Sequence, residues 1–143
     1  MNLLLALVAI TAGVATSIQS AANGGLSSRT GLGPALVVNT SIVLLCALVF
    51  FFTTRSSANF FPVGMPWSFY VGGFCGFAMI LAAAFVFPRI GAGPATALMV
   101  LGQGAASLAI DHFGIMGLSR EPVSLSRIGG FILVVAGVAL IRR

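Results

Sequence analysis

Apolar residues fill five long runs of the chain, roughly Asn2–Ala22, Gly33–Thr54, Pro66–Phe87, Ile90–Phe113 and Ser124–Ile141. Polar residues collect in the short breaks between them. Four runs reach the ~20 residues that a helix rising 1.5 Å per residue needs to cross a hydrocarbon core of about 30 Å. The last run is shorter and predicts a helix that spans with little tilt. Each break carries a turn signal. Asn23–Leu32 is rich in glycine and serine, 55–65 holds the helix breaker Pro62, Pro88–Arg89 is barely a turn, and Gly114–Val123 holds Arg120, Glu121 and Pro122. None is long enough for a soluble domain. The pattern predicts one all-α integral membrane domain over 1–143, with five transmembrane helices. Met1–Ala22 lacks a positive leader region and has a long apolar stretch, so it reads as a retained first helix rather than a signal peptide.

Composition sharpens this picture. The 143 residues are 59% hydrophobic and only 6% charged, with a mean hydropathy of +1.13, whereas soluble domains carry roughly a quarter charged residues. There is no lysine, so the net charge of +5 comes from seven arginines against Asp111 and Glu121. The arginines stand singly between apolar runs and form no basic patch, which points to membrane-flanking anchors and away from nucleic acid. Cys46 and Cys75 lie inside apolar runs, where a small packing role fits better than a disulfide or a metal site. No phosphate loop, metal-ligand spacing or nucleophile–base pair is present. The chain therefore reads as a non-enzyme with no cofactor and no metal.

Charge also bears on topology. With five spans, Arg55, Arg120 and Arg127 fall toward one side of the membrane, and Arg29, Arg89, Arg142 and Arg143 toward the other. So even a distribution gives the positive-inside rule nothing to act on. The chain is expected to insert both ways up. Because the number of spans is odd, two oppositely inserted copies form an antiparallel, ten-helix inverted-repeat dimer, the device by which many secondary transporters build two alternating gates.

Candidate chemistry concentrates in the fourth run. Gln103, Ser107 and Asp111 recur at helical spacing and form a polar stripe on an apolar rod. Ionisable groups within membrane helices are functional candidates by default. Asp111 has two readings: a proton- or cation-coupling carboxylate, or one half of an ion pair with Arg127 that ties the last two helices together. His112 points about 100° away from Asp111 and reads as an interfacial hydrogen bonder ahead of a proton relay. Gln103 lies roughly 20 Å along a helix that starts near Ile90, well inside the core, either at a ligand cavity or as glue between helices. Gln19 and Asn23 are one turn apart near the end of the first run, at a vestibule or a helix cap. Trp67 and Tyr70 suit an aromatic belt or a stacking site. Gly72, Gly73 and Gly76, with Gly102 and Ala106, are spaced for close helix packing. Phe50, Phe51, Phe52, Phe60 and Phe61 flank the 55–65 break as interfacial or lipid-facing residues.

These motifs together resemble the YdcZ-type family of small bacterial inner-membrane proteins, in the drug/metabolite transporter superfamily. The resemblance spans nearly the whole chain. It is carried chiefly by Gly102-Gln103, Ser107, Asp111-His112-Phe113-Gly114 and Gly117. Gln19-x-x-x-Asn23-x-x-Leu26, Trp67 ahead of Gly72-Gly73-x-x-Gly76, Pro88-Arg89-Ile90-Gly91-Ala92, and Arg127-x-Gly129 with Gly137 support it. Ser17 departs from the proline expected there. The resemblance implies a multi-pass protein of the bacterial inner membrane, with five helices per copy. It also implies antiparallel pairing with itself or a sister protein, and export of a small molecule whose identity and charge the residues leave open. The alternative is a non-transporting membrane assembly or regulatory subunit.

Overall fold

The computed structural model describes residues 2–54, 62–115 and 117–141. Arg55, Phe60, Phe61, Arg142 and Arg143, which figure in the sequence reading, lie outside the described residues. Among the described residues the fold is all-helical. Its helices are α1 (Leu3–Thr30), α2 (Leu32–Thr53), α3 (Val71–Ile90, entered through a 3-10 turn at Trp67–Tyr70), α4 (Ala92–Phe113) and α5 (Leu125–Ile141). The first four are long and apolar enough to cross a membrane, while α5 is apolar but shorter. The chain divides into two compact units, Met1–Arg89 and Ile90–Arg143.

Two helix ends run past the sequence reading, and both extensions have a physical cause. α1 runs on through Asn23–Thr30, where glycine and serine suggested a connection. In water each glycine in a helix costs about 1 kcal/mol, but in lipid a broken helix leaves backbone groups with no partner, so the helix continues. It stops at Gly31, whose φ of 90° and ψ of 161° lie in a region essentially reserved for glycine. α3 likewise passes through Pro88 to Ile90. A proline inside a helix strands the carbonyl four residues earlier, which here belongs to Ala84. The Ser27 hydroxyl of α1 donates to that carbonyl at 2.7 Å.

That bond marks the tightest crossing of the first unit. A Cβ on Gly24 would sit 3.0 Å from Phe87 Cβ and 3.2 Å from Pro88 Cδ, so glycine is what lets α1 meet α3. Ser20, Asn23, Gly24, Ala83, Ala84 and Phe87 are buried around it. In the second unit α4 packs on α5, with Gly104 against the Phe131 ring. α4 ends at Gly114 in the left-handed conformation, φ 62°, where a Cβ would lie 2.9 Å from Arg120 Cβ.

Among the described residues very little else is buried. The remaining core positions are Ala35, Ala95 and Val138, whereas large residues along every helix, such as Ile18, Leu45, Phe74 and Leu133, are exposed. A single copy with so small a core and so apolar an exterior suits lipid or another chain, not water.

Candidate functional site

In the first unit the polar residues of α1 separate. Asn23 is buried beside the Gly24 crossing, at 6% exposure. Gln19 instead reaches α2, where its Nε2 donates to Asn39 Oδ1 at 3.4 Å, the long end for such a bond. Gln19 and Asn23, which the sequence offered at a vestibule or a helix cap, thus have different surroundings, and Asn39 is a residue that sequence reasoning missed. The signal was available: Asn39 is the only amide in α2. Its Nδ2 is buried and, among the described residues, has no hydrogen-bond partner. Nearby, a groove of about 320 Å³ is lined by Leu36, Val37, Thr40, Ser41 and Phe77. The Thr40 hydroxyl is committed to the Leu36 carbonyl, which leaves that wall largely apolar.

At the end of α3, Arg89 folds back on its own helix. It donates to the Phe85 carbonyl and lies over the Phe85 ring, 3.5 Å from the centroid. With Ser28 and Leu32 these residues bound a cleft of about 400 Å³. Trp67 and Tyr70 stand in the exposed 3-10 turn that opens α3, a position that fits an interfacial belt. Gly72, Gly73 and Gly76 have open space where a Cβ would be, as does Gly102 on α4. Among the described residues none of these four brings two helices together.

In the second unit only part of the polar stripe of α4 lies along the cleft against α5. Ser107 and Asp111 line a cleft of about 300 Å³ against α5, with Arg127, Phe131 and Val134 opposite. Gln103 is exposed and outside that cleft. α4 begins at Ala92 rather than Ile90, so Gln103 lies roughly 17 Å along it, near the middle of a 30 Å core.

Ionic groups gather at the α4–α5 connection. Arg127 Nη1 meets Asp111 Oδ2 at 3.3 Å, and its Nη2 meets the Glu121 carboxylate. The Glu121 amide donates to the Asp111 carbonyl at 2.8 Å, and Arg120 Nε to the His112 carbonyl at 3.1 Å. His112 Nδ1 accepts from the Val123 amide at 3.3 Å, so its ring is engaged by the loop and stacks edge-on against Phe113. Asp111, His112 and Arg127 thus belong to one stitched connection. Among the described residues no group of three His, Cys, Asp or Glu side chains could hold a metal.

Apolar helices of membrane length, a minimal core and isolated polar groups define a multi-pass membrane protein. The chain belongs to the YdcZ family, described as "Putative inner membrane exporter, YdcZ", whose pattern matches residues 4–140. It is accordingly a multi-pass protein of the inner membrane, of the transporter class. No curated protein and no solved structure matches the chain.

Proposed function

We propose that the chain exports a small molecule by alternating access, as an antiparallel dimer of two oppositely inserted copies. The observation that carries this reading is the exposure of Gln103 in the middle of α4. An amide at that depth needs a partner, and among the described residues it lies exposed with none. Gly102 beside it has open space around it, and Ala106 is exposed too, so a second helix or a solute can come close. In an antiparallel pair two copies of Gln103 approach from opposite directions and flank one site. The even arginine distribution supplies the two orientations that such a pair requires. In this reading Asp111 holds the α4–α5 connection through Arg127.

Gln103→Leu tests this. Leucine is cheaper in lipid than glutamine, so insertion and dimerisation are expected to persist while efflux from proteoliposomes is lost. Reporter fusions to the carboxyl terminus should place it on both sides of the membrane, and two or three added arginines on one side should fix the orientation and abolish efflux. Loss of the dimer in Gln103→Leu would identify the amide as interface glue in a non-transporting assembly. A single orientation in the absence of a partner protein would remove the homodimer.

A further inference from the structure

The junction between α1 and α2 is repeated at the junction between α3 and α4. Arg29-Thr30-Gly31-Leu32-Gly33-Pro34-Ala35 recurs as Arg89-Ile90-Gly91-Ala92-Gly93-Pro94-Ala95. The two turns share a backbone: φ 90° and ψ 161° at Gly31, φ 83° and ψ 163° at Gly91. In both, the alanine amide donates to the glycine carbonyl at 3.3 Å, and the alanine is buried, at 1% for Ala35 and 0% for Ala95. The repeat gives the molecule an internal control. Counted from the two turns, the positions that correspond to Gln19 and Asn39 are Met79 and Met99. The turn keeps its sequence and its conformation without the amides. Making the junction is therefore not what the amides are for.

We infer that Gln19 and Asn39 form the recognition point for an uncharged solute that presents hydroxyl or carbonyl oxygens, which accept from the Asn39 side-chain N–H. The inference rests on the transporter reading above and names its substrate class. The pair sits well inside the core, with Asn39 about 12 Å and Gln19 about 18 Å along their helices from Gly31. Asn39 Nδ2 is covered and unpartnered, an unsatisfied donor that disfavours the empty state. As a residue Asn39 is only half-buried, and its terminal torsion is a soft one, so rotating the amide brings the N–H into reach of a solute. The charge of that solute follows from its surroundings. α1 has no charged residue before Arg29 and α2 has none at all. An ionic group docked on Asn39 would have no counter-charge on either helix, which is prohibitive at this depth.

The test uses the full chain in proteoliposomes, with ribitol as the uncharged probe and ribonate and 1-amino-1-deoxyribitol as its anionic and cationic counterparts. Wild type should carry ribitol at least tenfold faster than either charged probe, and Asn39→Met should lose at least tenfold of the ribitol flux. The double variant Gln19→Met with Asn39→Met, which copies the second junction, should melt no lower than wild type. A lower melting temperature for the double variant overturns the inference, because the amides would then be structural. Unchanged ribitol flux in Asn39→Met, or equal flux of a charged probe in wild type, overturns it while leaving the transporter reading intact. No flux of any probe in wild type removes both together.

Discussion

The two units of this chain hold their helices together by opposite means. In the first, α1 meets α3 through a glycine and a hydroxyl, with no charge involved: Gly24 admits Phe87 and Pro88, and Ser27 satisfies the Ala84 carbonyl. In the second, α4 is tied to α5 by Asp111, Glu121 and Arg127 around a loop that also engages His112. The difference follows from burial. The connection between α4 and α5 lies at a helix end, where Asp111 and Arg127 side chains keep 41% and 34% of their exposure and ions remain affordable. The α1–α3 crossing lies where its residues are buried, and there only neutral, fully satisfied groups are tolerated.

The comparison is most easily broken at Gly24. Gly24→Leu forces a side chain into Phe87 and the Pro88 ring, and overpacking of this kind costs about 1–3 kcal/mol. Its melting temperature in detergent should fall furthest of the variants considered, with no dependence on salt. The next effect sharpens the chemistry of the crossing. Ser27→Ala leaves the Ala84 carbonyl without its donor, at roughly 1 kcal/mol. In a Pro88→Ala background residue 88 regains an N–H for that carbonyl, so the same Ser27→Ala change should become nearly silent. An equal cost in both backgrounds would show that the hydroxyl is not compensating for the proline.

The smallest effect belongs to the second unit. A double-mutant cycle of Asp111→Asn and Arg127→Gln should give a coupling of roughly 0.2–1 kcal/mol, the range for exposed pairs. A buried charge left alone would cost about 3–5 kcal/mol, more than is expected for side chains this exposed. The coupling should shrink further at 1 M salt, where the screening length is about 3 Å. A salt-insensitive coupling above that range would mean that lipid or a second copy covers the pair.

Much of this protein is legible in the residues themselves. The five apolar runs, the near absence of charge and the Asp111–Arg127 spacing across one short connection are all local properties. In lipid, an apolar run of membrane length has no alternative to a helix, because its backbone must bond to itself. What sequence left undecided was where polar groups find partners. The glycines and serines of 23–30 look like a loop until Pro88, far along the chain, explains why Ser27 is there. Gln103 and Asp111 share a stripe by spacing, yet α5 covers only the part that holds Asp111. Gln19 found its partner in Asn39, on the next helix. Each of these outcomes depends on which helix lies alongside, and spacing within one helix carries no information about its neighbours. The sequence alone thus determined the helices, the membrane and the family, since these follow from composition and period. Only the tertiary structure decided the pairing of Gln19 with Asn39, the role of Ser27 and the separation of Gln103 from Asp111, because a hydrogen bond between helices exists only once they are packed.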